Sequence, residues 1–156
     1  VVLCFDGDEA GVKAARRTAE ICERLEFQIF AVEAPPDMDP ADFVKNGRFD
    51  ELHKFLKYPI NILDYLLKKS ENAHSSATSE GKELVIQDLF PYIESMVSAV
   101  RRDSSLTKIS DALGVEKSAI LGDLRRRAGP GIRRDATRTR SVRARTSTAS
   151  PTWRRR

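Results

Sequence analysis

The sequence predicts an α/β fragment, one parallel-sheet βαβ unit, followed by a small all-α helical subdomain and a disordered basic tail. Three observations carry this prediction. Two apolar, β-branched runs at residues 1–5 and 27–32 flank a stretch of helical periodicity; helical spacing then dominates residues 60–127; and large apolar residues nearly vanish after Gly129. With 156 residues and 40% hydrophobic content, the chain can bury one modest core with appendages rather than two full domains.

Residues 1–5 (VVLCF) read as a buried strand that ends at the turn Asp6-Gly7-Asp8. Over residues 9–25, Ala10, Ala14, Ala15, Ala19, Ile21, Cys22 and Leu25 keep near-helical spacing. Lys13, Arg16, Arg17, Glu20, Glu23 and Arg24 cover the other face, so an amphipathic helix is expected. Residues 27–32 (FQIFAV) supply the second strand, parallel to the first through a right-handed crossover. The prolines at 35, 36 and 40 end that strand in a loop, because each removes a donor and restricts its predecessor. Short helices are expected over residues 40–45 and 49–57, then helices over 60–69, 79–102, 106–113 and 117–127, with 70–78 as a polar linker. The expected division is a sheet-containing part at 1–58, a helical subdomain at 59–128 and an Arg-rich tail at 129–156. Too few apolar residues in the tail offset its ordering entropy. Its abrupt change of composition leaves open whether it is native sequence.

Charge is divided just as sharply. Residues 1–124 carry 15 Lys+Arg against 22 Asp+Glu, a net −7, whereas residues 125–156 carry 12 Arg and one acid, a net +11. The overall +4 therefore says nothing in favour of nucleic-acid binding by the folded part. The tail would bind any polyanion in a salt-dependent way, and its single aromatic residue, Trp153, gives it no means of selecting a base. No run approaches the roughly 18 apolar residues that span a bilayer, and the first residues lack a basic signal-peptide start, so no membrane association is expected. Cys4 and Cys22 form no CxxC pair and have no histidine at zinc-ligand spacing; both are expected to be small core residues in a reducing compartment. His53 and His74 are expected at the surface.

Chemistry concentrates in FDGDEAGVKAARR, residues 5–17. Residues two apart in an extended chain point the same way, so Asp6 and Asp8 can converge at the carboxyl end of the first strand, the edge where open parallel sheets bind ligands. Paired carboxylates suit Mg²⁺, which takes hard oxygen ligands. The same residues could equally be a strand terminus and a helix N-cap, and spacing alone leaves both readings open. Asp39 lies in the loop after the second strand and would reach the same edge. Yet Asp39, Pro40 and Asp42 are also a complete helix start, and a capping and a metal role can coexist. Lys13, Arg16 and Arg17 read first as the solvated face of the helix and second as phosphate contacts. Residues 106–127 imitate a helix-turn-helix with Gly114 at the turn, but Asp111, Glu116 and Asp123 would meet phosphates poorly.

The run VVLCFDGDEAGVKAARR, followed by DMDPADFVKNG, resembles the Toprim domain of bacterial DnaG-type primases. The resemblance is strong over residues 1–47 and looser over 49–127, where primases carry a helical subdomain. It implies a Toprim-like fold in which Asp6 and Asp8 match the DxD metal ligands and Asp39 the first aspartate of a DPD motif, all three serving catalysis through Mg²⁺ or Mn²⁺. Ala41 stands where the family often has a second aspartate, so no ligand role passes to Asp42.

The implied reaction is synthesis of short RNA primers from NTPs on a single-stranded DNA template, a nucleotidyl transfer in the bacterial cytoplasm at the replisome. The family's upstream strand with its glutamate, its basic polymerase subdomain and its zinc ribbon, where zinc would bind, are not in these residues. Nor is the domain that meets the replicative helicase, so this stretch alone is expected to be inactive. Two other readings stay in view: another Toprim enzyme, such as a primase-helicase or nuclease, although no Walker A sequence occurs here, and a non-catalytic nucleic-acid-binding module.

Overall fold

A computed structural model describes residues 1–33 and 40–127. The Arg-rich tail and its expected disorder, like Asp39, lie outside them. Two compact units are distinguished, Val1–Leu121 and Gly122–Arg156. Of the second, the described residues are the last turns of a helix, where Arg126 pairs with Asp123.

The first unit opens with β1 (Val2–Leu3), which leads through the Asp6-Gly7-Asp8 turn into α1 (Glu9–Arg24) and then β2 (Phe30–Ala31). β1 and β2 are parallel, with Val2 opposite Phe30 and Leu3 opposite Ala31, and the Val32 N–H extends the ladder to the Leu3 carbonyl at 2.8 Å. The expected βαβ unit is therefore present, in a mixed three-stranded sheet of order β1-β2-β3. α2 (Pro40–Lys45) and α3 (Phe49–Leu56) follow.

Residues 60–69 were expected to be wholly helical. Instead β3 (Ile60–Asn61) pairs antiparallel with β2, and Asn61 is at once the last strand residue and the N-cap of α4 (Ile62–Ala73), its Oδ1 accepting from the Leu63 N–H at 2.9 Å. One side chain ends the strand and starts the helix, which is why the periodicity conceals the boundary. α4 also runs into the expected linker.

The long helix expected over 79–102 is two helices. α5 (Ser79–Ser95) ends where Met96 turns extended, and Ser98 caps α6 (Ala99–Leu113) by accepting from the Arg101 N–H at 3.3 Å. Met96 is buried, so its side chain belongs to the core although its backbone leaves the helix. α6 absorbs the expected 106–113 helix, and Gly114, in the left-handed region at φ 59°, turns the chain towards α7 (Lys117–Arg127).

Leu66, Val85, Leu89 and Ile93 of α4 and α5, with Leu106 and Ile109 of α6, form the centre of the core. α1 packs against α5 and α4 along Gly11, Ala15, Ala19 and Glu23, a spacing of four whose small residues allow close approach. This corrects the expected faces of α1: Ile21 is exposed and Glu23 fully buried. Cys4 and Cys22 are free thiols, half-buried rather than in the core.

Candidate metal and catalytic site

β1 stops at Leu3, and three residues later the chain begins the turn that carries both candidate carboxylates. Asp6 and Asp8 are exposed, and no cationic side chain among the described residues pairs with either. Asp8 is the N-cap of α1, with extended backbone, and its Oδ1 accepts from the Gly11 N–H at 2.7 Å. The capping reading of Asp8 is therefore realised, and it leaves the second carboxylate oxygen without a partner among the described residues. Among the described glycines the positive-φ ones are Gly47 and Gly114, so the turn through Gly7 does not use a left-handed backbone.

Beside this turn, burial first and the Asp6 charge second push the Cys4 thiol above its ordinary pKa, which keeps it a protonated thiol. Glu33 leaves the same sheet edge from β2 and is held by Lys68 at 2.7 Å. No cluster of three potential ligands occurs among the described residues. The donor set they do provide, two exposed carboxylates on one tight turn, suits a hard cation that keeps several waters.

The basic residues of α1 divide three ways. Lys13 pairs with Glu9 at 2.6 Å on the exposed face, and Arg17 is exposed. Arg16 is not on a solvated face: it donates to Asp88 of α5 at 3.0 Å and to buried Ser70 of α4 at 3.3 Å. His74 approaches the same Asp88 oxygen at 3.4 Å, so it has the acidic neighbour that its sequence surroundings do not reveal. In the α6–α7 region Lys108 pairs with Asp64 and Lys117 with Asp103.

At the other end of α1, Glu23 Oε2 accepts from the Tyr92 hydroxyl at 3.0 Å and the Arg101 guanidinium at 2.9 Å. Glu23 Oε1 has no hydrogen-bond partner among the described residues. Burial, then the Glu23 charge, then the hydrogen bond to it push the Tyr92 phenol far above its ordinary range. Sequence reading misses this cluster because its members are 69 and 78 residues apart. A cleft of about 380 Å³ opens at this end, bordered by Gln28, Asn61, Tyr92 and Arg101 among others; Asp6 and Asp8 do not line it.

A family model described as Toprim-like matches residues 1–44. The DNA primase of Treponema pallidum (strain Nichols) is 28% identical over 123 residues, covering 79% of this chain and 20% of that protein. That of Clostridium acetobutylicum is 28% identical over 120 residues, covering 77% and 20%. The chain thus spans about a fifth of the length of these relatives. Among solved structures, a DNA primase domain from Pseudomonas aeruginosa superposes with a TM-score of 0.59 at 24% identity, over 79% of this chain and 39% of that one. The Aquifex aeolicus primase, comprising zinc-binding and RNA polymerase domains, gives 0.60 at 21%, over 78% and 28%. Motif, fold and relatives agree that this chain is similar to the DnaG-type DNA primases, through a Toprim-like segment at residues 1–44 and the helical region that follows it.

Proposed function

We propose that the chain is part of the catalytic region of a DNA primase, the enzyme that joins NTPs into short RNA primers on single-stranded DNA, and that Asp6, Asp8 and Asp39 are its divalent-cation ligands. The observation that carries this reading is the pair of exposed carboxylates at the carboxyl end of β1, free of cationic partners among the described residues and with Asp8 fixed by the Gly11 N–H. Mg²⁺ or Mn²⁺ held there would supply charge neutralisation for a triphosphate and for the oxygen that develops charge during nucleotidyl transfer. The chain's own residues contribute position: β1 delivers Asp6 to the sheet edge, and the cap of α1 holds Asp8 beside it.

In this reading residues 1–58 belong to the Toprim domain and 59–128 to the helical subdomain. Template, NTPs and primer meet them in the cytoplasm together with parts of the enzyme not in this chain, among them the part that meets the replicative helicase.

The test is a Mn²⁺ titration followed by paramagnetic NMR broadening. Broadening around Asp6, Asp8 and Asp39 that disappears in the Asp6→Asn/Asp8→Asn double variant is expected. Broadening that is the same in both proteins would leave the aspartates as turn and cap residues only.

A further inference from the structure

Two helices of this fold begin in the same way. Asp8 caps α1 by accepting from Gly11, and Thr78 caps α5 by accepting from Gly81, so each glycine is the third residue of its helix. The cap itself does not require glycine there: α6 begins with the same hydrogen bond, from Arg101 to Ser98. A crossing backbone imposes the requirement. A Cβ on Gly11 would lie 2.1 Å from the Asp6 carbonyl oxygen, and a Cβ on Gly81 would lie 1.7 Å from the Ser75 carbonyl oxygen. Real side chains essentially never come within 3.0 Å of such an atom, and the obstacle at both sites is backbone rather than a flexible side-chain tip. The two sites differ in what the crossing residue carries. Ser75 belongs to a surface loop, whereas Asp6 bears one of the two candidate ligand carboxylates.

We propose that Gly11 is a positioning residue of the Asp6/Asp8 site. Its missing side chain lets the Asp6 backbone lie against the first turn of α1, while its N–H takes up Oδ1 of Asp8. One residue thereby sets the relative placement of both carboxylates and presents Asp8 to a cation through Oδ2. The inference rests on the metal-binding reading above and deepens it. Any side chain at position 11 must push the Asp6 carbonyl away by close to an ångström, and it carries the Asp6 carboxylate out of register with Asp8.

The experiment compares Mn²⁺ affinity and thermal stability in wild type, Gly11→Ala and Gly81→Ala. Both variants are expected to melt earlier. Only Gly11→Ala is expected to lose Mn²⁺ affinity, by about 10- to 100-fold, as when a residue that orients a metal ligand is removed; Gly81→Ala keeps the wild-type value. Folded Gly11→Ala with unchanged affinity would overturn the proposal. Wild type that shows no Mn²⁺ binding at Asp6 and Asp8 is a different failure: it removes the site, and the positioning role with it.

If Gly11→Ala does not fold, amide hydrogen exchange of the wild-type protein decides. Saturating Mg²⁺ is expected to preserve or deepen protection of the Gly11 amide and leave Gly81 unchanged. Loss of Gly11 protection would show that Asp8 abandons the cap to reach the ion, contrary to the proposal.

Discussion

The two ends of α1 treat carboxylates in opposite ways. At the amino end, Asp6 and Asp8 stand in solvent with no cationic partner among the described residues. At the carboxyl end, Glu23 is fully buried and held by Tyr92 and Arg101. A charge removed from water is tolerated only when paired and hydrogen-bonded; Oε2 of Glu23 is taken up by Tyr92 and Arg101, and Oε1, without a partner among the described residues, is buried away from solvent. Asp6 and Asp8 cost the fold little desolvation, which in the proposed metal-binding reading leaves them available to a cation. The sign of a charge does not mark a binding site; the partners that the fold has already assigned to it do.

The largest effect should come from breaking the buried end. Arg101→Met leaves Glu23 with Tyr92 alone and should lower unfolding stability by about 2–4 kcal/mol in urea titration. The value sits low in the usual span because the Arg101 side chain is 41% exposed. A loss under about 0.5 kcal/mol, the level of an ordinary surface pair, would erase the contrast between the two ends.

Tyr92→Phe should cost about 1–2 kcal/mol by removing the other donor to Glu23. It also sharpens a pH dependence. The folded-state phenol is raised above its ordinary value near 10, so the unfolded chain gives up this proton first. The contribution of Tyr92 is fully present below about pH 10 and is lost as pH rises through the folded-state value. Unfolding midpoints measured from pH 8 to pH 11 should fall more steeply in wild type than in Tyr92→Phe, and parallel curves would refute the assignment.

At the amino end the two roles of Asp8 should separate. Asp8→Ala should cost about 1 kcal/mol through the lost cap, whereas Asp8→Asn keeps a capping oxygen and should cost only a few tenths. Both should weaken Mn²⁺ binding, and retention of wild-type affinity in Asp8→Asn would confine Asp8 to capping.

The smallest effect is a gain. Just past α1, Glu26 sits at φ 58° and its N–H bonds to the Glu23 carbonyl, while the Phe27 N–H reaches Cys22, a left-handed helix stop normally given to glycine. Gly47 after α2 and Gly114 after α6 adopt the same left-handed conformation. Glu26→Gly should stabilise the fold by about 0.5–1 kcal/mol, read as a higher melting temperature. A lower one would mean that the Glu26 side chain contributes something beyond backbone conformation.

Signals confined to a few neighbouring residues were legible in the sequence. The DGD turn, the helix beginning at Glu9, the parallel pairing of the flanking strands, α2 and the Gly114 turn are all readable from local chemistry, and the structure contains them. Non-local features were hidden. β3 is two residues long and continues directly into α4, so no periodicity betrays it. The break at Met96 was masked because Val97 and Val100 continue an apolar rhythm while lying exposed, and Ser98 caps without an acidic partner three residues on. Burial of Glu23 depends on Tyr92 and Arg101, which no window of ordinary length contains. At the candidate site the DxD pair and its cap were readable, whereas the need for Gly11 arises from a backbone crossing that spacing does not encode.

The ties between α1 and the later helices have a consequence for how the chain acquires its structure. Arg16 meets Asp88 across 72 residues, and Glu23 meets Arg101 across 78. During synthesis α1 leaves the ribosome before α5 and α6, so the surface that covers its Ala15–Ala19 stripe emerges only with α5, and the counter-charge of Glu23 only with α6. Helices are usually fast to form, but closing loops of this length must precede the contacts that reward them. A nascent chain halted between α3 and α5 would expose the inner face of α1, the species a chaperone or protease would engage. Ribosome-arrested chains of increasing length, probed by limited proteolysis, should therefore gain protection at α1 only once Arg101 has cleared the exit tunnel.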